Sequence, residues 1–423
     1  MMDIIKAPRG VRDVLPDESW KWAYVMDAAR KVSNVFGYSE VHLPIFEHTE
    51  LFARGIGDST DVVEKEMYTF EDRSGRSLTL RPELTASMVR CYLEHGMSQK
   101  VQPVKMWSAG PMFRYERPQK GRYRQFWQLD VEALGSDAPE VDLEIISFAI
   151  YLFDMLGLSN LEVVVNSVGC PECRPTYRQA LKDYVGSKFE LLCPTCQNRF
   201  DRNPLRILDC KNEGCREIMK EAPGMTDYLC DECKEHFHRV KEGMSLLGIH
   251  YKEDKNLVRG LDYYTKTAFE VLSGELGAQN AVCGGGRYDN LAEAIGGPHV
   301  PGVGFAAGIE RIVLTMEGQG CDFGPKPVID VFVVTADDSA KRAALKLLYE
   351  IRQNRISVDM DYSGKSLGSQ LKMASNKEAR LACILGGTEL QKGVVTVKDL
   401  ASGSQEEVSR DSLVDYIRHS IAH

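Results

Sequence analysis

Two hydrophobic periods divide this chain into elements. From Phe126 to Glu132 the pattern has period two: Trp127, Leu129 and Val131 share one parity, and Phe126, Gln128, Asp130 and Glu132 the other. A strand points successive side chains to opposite faces. One face here belongs on a core. The other carries a ring, an amide and two carboxylates, a poor packing face and a good floor for a site. Residues 112–116 also read as a strand, with Arg114 and Glu116 on one face. The loop between holds Pro118 and Gly121, as hairpin connections do. Five cations (Arg114, Arg117, Lys120, Arg122, Arg124) fall within eleven residues. Taken alone, such a hairpin reads as a solvated loop with a satisfied strand behind it; its surroundings decide.

Helical period governs 17–36, where Val25, Ala28, Ala29, Val32 and Phe36 form a stripe behind Pro16. A short strand over 38–44 ends at Pro44, a pattern compatible with a subunit contact. Residues 67–70 and 78–80 flank a hairpin turn at 73–76. A helix is expected to about residue 94, with Pro82 in its first turn. Glu83 and Thr85 at its start could hold a small polar ligand or merely cap it. Further on come a helix over 142–155, strands at 161–165 and 269–272, three glycines at 284–286, and a glycine-rich strand running into a helix at 301–311. Successive glycines mark a close backbone approach or a mobile turn. Residues 317–327 read as a linker. Beyond it, strands at 328–334, 357–360, 381–385 and 393–398 alternate with helices at 339–353, 367–376 and 411–421, a small α/β domain.

At 423 residues the chain holds two or three domains. A net charge of −9 argues against broad phosphate binding and leaves room for local basic patches. No apolar run approaches membrane-spanning length, so no membrane association and a cytoplasmic location are expected. There is no G-x-x-x-x-G-K-[ST], which excludes a P-loop. Eight of the twelve cysteines lie between Cys170 and Cys233: C-P-E-C at 170–173, C-P-T-C at 193–196, Cys210, Cys215 and C-D-E-C at 230–233. In a cytosolic chain these spacings favour thiolate–metal sites over disulfides, and zinc above other metals. Eight sulfurs could make two structural sites of four. Nearest pairing joins Cys170 and Cys173 with Cys193 and Cys196, and Cys210 and Cys215 with Cys230 and Cys233. His236 and His238 are substitute ligands, and thiols without metal are the alternative.

With these pieces placed, the chain resembles the histidyl-tRNA synthetases, which are class II aminoacyl-tRNA synthetases. The resemblance rests on the strand ending at Pro44, F-R-Y-E at 113–116, F-W-Q-L-D-V-E at 126–132, G-I-E-R at 308–311, and two specific signatures, L-V-R-G-L-D-Y-Y-T at 257–265 and C-G-G-G-R-Y-D at 283–289. It implies an α+β chain. Residues 1–169 and 251–320 would form an antiparallel-sheet catalytic domain. Residues 170–250 would be a Cys-rich insertion leaning on the tRNA acceptor stem, and 321–423 an α/β anticodon-binding domain. It implies a homodimer that joins L-histidine to tRNA(His) through histidyl-adenylate, using ATP with Mg2+. Arg114 and Arg259 would bracket the α-phosphate as the catalytic pair. Glu116, Arg122, Phe126 and Arg311 would join Arg114 in holding ATP, with Phe126 on adenine. Glu132, Tyr263 and Tyr264 would surround the imidazole, Glu83 and Thr85 the α-amino group, and Gln128 the carboxylate end. Arg259 and Tyr264 are five apart, so a bulge or turn near Gly260 is needed for both to face one site.

A non-catalytic relative, the synthetase-like regulatory subunit of histidine biosynthesis, is the rival reading. It requires loss of Arg259 and of the C-terminal domain, and both are present. A zinc-ribbon nucleic-acid module accounts for the cysteines alone. Anticodon contacts would come from basic residues between Lys365 and Lys377, which read equally as a solvated face.

Overall fold

Alternation along Gln125–Leu134 carries into the packing of the whole first unit. Leu129, Val131 and Ala133 are buried in one core with Val25, Ala29 and Val32 of the helix Pro16–Phe36, Ile145, Phe148 and Leu152 of Pro139–Met155, and Ile309, Ile312 and Met316 of Ile309–Gln319. These amphipathic helices cover one face of the sheet; on the other, Asp130 and Glu132 stand beside a second core that holds Met106, Leu134 and Tyr92. The computed structural model describes residues 4–57, 60–119, 121–210, 212–276 and 280–422. Lys120 lies outside the described residues. Two compact units divide at Gly324 and Pro325.

The sheet of the first unit has eight strands, in the order Ser39–Glu40, Val104–Phe113, Gln125–Leu134, Gly302–Gly308, Ala281–Arg287, Thr265–Ser273, Leu161–Ser167 and Tyr251–Glu253. The six inner strands pair antiparallel, and each edge strand is parallel to its neighbour. Pairing of the central hairpin runs from Val104 opposite Leu134 to Phe113 opposite Gln125. The first strand of that hairpin therefore begins eight residues before the expected 112. It ends at Phe113, so Arg114 and Glu116 stand in the loop and not on a strand face. The strand expected over 38–44 is only Ser39–Glu40; there Arg81 replaces a ladder, donating to the carbonyls of Leu43, Pro44 and Pro111. Proline at 44 cannot donate to a ladder.

The hairpin of Tyr68–Glu71 and Ser77–Leu80 forms as expected and adds Phe46–His48 to make a three-stranded sheet. Asp72 closes its turn by accepting from the backbone N–H of Ser74 and Arg76. The following helix is Thr85–Glu94, so Pro82 precedes it by three residues and does not sit in its first turn.

Between Ser167 and Thr265 the chain builds a helical lobe containing Arg174–Gly186, Pro194–Arg202, Glu213–Met219 and Asp231–Leu246. Tyr177, Leu181, Val185, Ile207 and Met219 pack there with five of the eight clustered cysteines in a small core, and the other three lie against it half-buried.

In the second unit the strand order is Val358–Met360, Val331–Thr335, Leu381–Leu385, Val394–Asp399 and Gln405–Ser409, the first three parallel and the last two antiparallel. Val331 and Val333 face one core, with Leu347 and Ile351 of Lys341–Gln353 and Ile417 of Leu413–Ile421. Phe332 and Val334 face the other, with Ala374 of Leu367–Asn376. Both faces are covered, which is why the strand reads as a continuous apolar run. The helix Gly387–Lys392 and the strand Gln405–Ser409 are not expected from the pattern: the first is only six residues long, and the second is mostly exposed at a sheet edge. Among the described residues no helix is long and apolar enough to cross a membrane.

Candidate active site

Arg114 and Arg259 line one cleft of about 240 Å3, together with Glu116, Arg122, Phe126, Gln128 and Arg311. Arg114 follows the strand end, where Nε donates to the Pro82 carbonyl at 2.8 Å and the guanidinium stands 5.4 Å from the Phe126 ring centre. A planar, permanently charged group fixed by one N–H keeps its other donors for a ligand. Arg122 Nη1 donates to Glu116 Oε2 at 2.9 Å. Arg311, at the start of its helix, donates Nη1 to the Ala281 carbonyl at 2.6 Å. Its neighbour Glu310 turns back and accepts from the Trp127 N–H at 3.1 Å, tying that helix to the central hairpin. Burial pushes the Glu310 carboxyl up to about 7 despite this bond.

Arg259 leaves the lobe through a bend at Gly260 and a turn at Asp262 and Tyr263, which satisfies the geometric need set by its spacing from Tyr264. Its Nη1 donates to Glu270, and the guanidinium lies 5.4 Å from the Tyr264 ring centre. Its Nε is buried with no hydrogen-bond partner among the described residues. The guanidinium rests on bare backbone: a Cβ on Gly284 would lie 2.5 Å from Nη1. The glycine run is thus required by close approach. Gly285 meets the Gly304 carbonyl on the next strand, where a Cβ would lie 2.1 Å away.

Glu132 does not line this cleft. It is 1% exposed, four residues along the strand from Gln128 on the same face. Thr85 donates its hydroxyl to Glu132 Oε1 at 2.7 Å, and Tyr288 donates to Oε2. Burial pushes the Glu132 carboxyl up to about 8 against the pull of both bonds. Glu83 caps the helix it precedes, accepting from the N–H of Thr85 at 2.8 Å and of Ala86 at 2.9 Å. Tyr263 donates to the same carboxylate at 3.5 Å and stacks at a tilt on Tyr264, ring centres 4.7 Å apart. Gln128 Oε1 and both Asp130 carboxylate oxygens are buried without hydrogen-bond partners among the described residues. Such groups carry a desolvation cost that a bound polar ligand can relieve.

Four contributors escape a reading of the sequence. Arg81 holds the segment at Pro44, Tyr288 engages Glu132, Glu270 anchors Arg259, and Arg287 forms a fully buried ion pair with Asp142. Asp142 also meets His236 Nε2 at 3.1 Å. Burial alone would raise the Asp142 carboxyl, and Arg287 and His236 bring it down to about 2. His236 is therefore engaged away from the thiols and is no substitute ligand. Arg287 and Tyr288 lie inside C-G-G-G-R-Y-D, so a signal existed, but nothing in their spacing names a partner more than a hundred residues away.

The cysteines form two groups of four, in each of which the sulfurs lie within 4.8 Å of one another. Either group could hold a metal ion. Their membership corrects the nearest-neighbour pairing: Cys170 and Cys173 meet Cys230 and Cys233, and Cys193 and Cys196 meet Cys210 and Cys215. The lobe is nested, so its first and last pairs close around the middle ones.

The histidyl-tRNA synthetase family model matches residues 10–174 and 202–312, and the anticodon binding domain model matches 330–420. The histidine–tRNA ligase of Halothermothrix orenii is 52% identical over 411 residues, covering 97% of this chain and 98% of that protein. That of Moorella thermoacetica is 53% identical over 411 residues, 97% of each. The crystal structure of apo histidyl-tRNA synthetase from S. aureus aligns over 98% of this chain and 100% of its own, at 40% identity and a TM-score of 0.83. The chain belongs to the histidyl-tRNA synthetase family.

Proposed function

We propose that the chain attaches L-histidine to tRNA(His) in two steps on the cleft between Arg114 and Arg259. In the first, a histidine carboxylate oxygen bonds to the α-phosphorus of ATP as the bond to the bridging oxygen of pyrophosphate breaks. Histidyl-adenylate and pyrophosphate result. In the second, the 3′-hydroxyl of the terminal adenosine bonds to the histidyl carbonyl carbon, its proton is lost and AMP departs. Such chemistry depends on positioning and positive charge more than on covalent help. Arg114 and Arg259 carry the α-phosphate and the entering carboxylate. Phe126 stacks on adenine, and Glu116, Arg122 and Arg311 take the rest of the nucleotide. Magnesium bound with ATP supplies charge at the phosphates; Glu116 and Glu270 on the cleft wall are hard oxygen donors of the kind it takes.

Histidine selection follows from burial. Glu132 and Tyr264 pair with the ring nitrogens beside Tyr263, Glu83 and Thr85 take the α-amino group, and Gln128 the carboxylate end. A buried site built to pair both nitrogens leaves its groups unpaired with other amino acids, which rejects them by roughly 10⁴–10⁵. The second unit reads the anticodon, the thiol lobe leans on the acceptor stem, and its thiols hold structural zinc. The active species is a cytoplasmic homodimer, testable by sedimentation and fractionation.

The observation that supports this reading most is that two arginines from distant parts of the chain line one cleft, one of them seated on bare glycine. Histidine-dependent ATP–pyrophosphate exchange is the test. Arg259→His is expected to lose about 10²–10³ in kcat, since one aimed donor is worth that much, while ATP binding stays measurable. Near-normal exchange in this variant would refute the role.

A further inference from the structure

Each thiol group has the geometry of a closed four-sulfur centre. Four sulfurs bound at about 2.3 Å to one tetrahedral ion stand about 3.8 Å apart. Here Cys170 and Cys173 are 3.5 Å apart, Cys170 and Cys230 3.9 Å, and Cys193 and Cys210 3.8 Å. Disulfides would draw pairs together, whereas all eight thiols are free. The Cys230 N–H donates to Cys173 Sγ at 3.1 Å, and the Cys193 N–H to Cys215 Sγ at 3.2 Å. Such bonds favour the thiolate that a metal needs.

From each group one arginine reaches the same loop. Arg174 follows Cys173 directly and donates Nη2 to the Tyr264 carbonyl. Arg206 lies between Cys196 and Cys210 and donates Nη2 to the Gly260 carbonyl at 2.5 Å. It also stands 3.5 Å from Asp262, which accepts from Asn203 Nδ2 at 3.3 Å. The stretch from Arg259 to Tyr264 is neither strand nor helix. It carries the arginine of the cleft and both tyrosines, and it is gripped near its two ends.

We propose that the two thiol groups are separate metal centres, each taking a thiophilic divalent cation such as zinc, and that they fix the Arg259–Tyr264 loop through Arg174 and Arg206. Both arginines are positioning residues, acting through the loop. The activity half of this proposal rests on the synthetase reading; the metal half does not.

The test uses the full chain purified without chelator or histidine tag. Elemental analysis is expected to give about two zinc ions per chain, and about one in each of Cys173→Ser and Cys215→Ser. Less than one in the unsubstituted protein overturns the metal centres. Because cysteine variants risk misfolding, the second arm leaves the thiols intact. Arg174→Ala and Arg206→Ala are expected to keep both ions yet lose about tenfold or more in kcat for pyrophosphate exchange. The KM for ATP stays within about twofold, and Arg206→Lys, which keeps a donor for the Gly260 carbonyl, recovers part of the loss. Wild-type kcat in both alanine variants with both ions bound overturns the bracing. Two ions in a wild-type protein that exchanges no pyrophosphate would sink the synthetase reading and leave the metal centres standing.

Discussion

Gly284→Ala separates the position of the Arg259 guanidinium from its charge. The new Cβ would lie 2.5 Å from Nη1, 2.7 Å from Nη2 and 2.8 Å from Cζ, where ordinary contact begins near 3.4 Å. The guanidinium must retreat by about 1 Å. It is the far end of a flexible side chain, so the fold should notice little, within about 1 kcal/mol. Chemistry should notice more: a misplacement of that size costs about 10²-fold, or about 2.7 kcal/mol at the barrier. Steady-state pyrophosphate exchange with urea unfolding on the same samples reads both quantities. Gly274→Ala, with nothing among the described residues within 4 Å of its Cβ, is the neutral control. Gly285→Ala gives the opposite contrast, because its Cβ meets the Gly304 carbonyl at 2.1 Å and Phe305 Cα at 2.7 Å, backbone that cannot step aside. It should lose stability first. If Gly284→Ala exchanges within about threefold of wild type at unchanged stability, Arg259 does not act from the position it occupies here.

Glu132 makes stability fall as pH rises. Its carboxyl sits at about 8 in the fold against an ordinary 4.5, so the folded chain holds a proton that the unfolded chain releases between those values. Its contribution is full below about 4.5 and gone above about 8, a loss on the order of a few kcal/mol. Urea unfolding from pH 5 to 8.5 should show a flatter profile in Glu132→Gln, and an identical slope would contradict the assignment. Arg287→Met leaves the Asp142 carboxylate only His236 in a site where both members of the ion pair are fully buried, and about 3–5 kcal/mol should be lost. Adding Asp142→Leu should restore most of it by the same unfolding measurement; a single-variant loss under about 1 kcal/mol would show the pair to be dispensable.

Period and parity carried most of the fold. Leu129 and Val131 pack where their alternation put them, and the helix 367–376 and strand 381–385 begin and end as the pattern says. What escaped has physical causes. The strand from Val104 was hidden because Pro103 and Pro111 break its pattern, yet only the ladder position at Pro111 forgoes a donor. Glu83 takes the capping role that the sequence left open beside ligand binding. The thiol pairing could not be read from spacing, since nesting is decided by helices that bring residue 230 back to residue 170. Arg287 and Arg81 depend on partners distant in the chain, about which local pattern carries no information.

The point where the thiol lobe leaves the sheet has a consequence of its own. Ser167 and Thr267 are opposite one another on adjacent antiparallel strands, so about a hundred residues, the edge strand Tyr251–Glu253 among them, depart and return at neighbouring rungs. Closing such a detour costs nearly the same whether it is long or short, because loop entropy grows only with the logarithm of length. Length is therefore cheap at that doorway, but content is not: Phe237, Val240 and Met244 of Asp231–Leu246 are buried in the sheet's own core. Whatever influence the thiols have on catalysis can pass through that packed helix as well as through the side chains that reach across, so the lobe and the sheet answer a disturbance together.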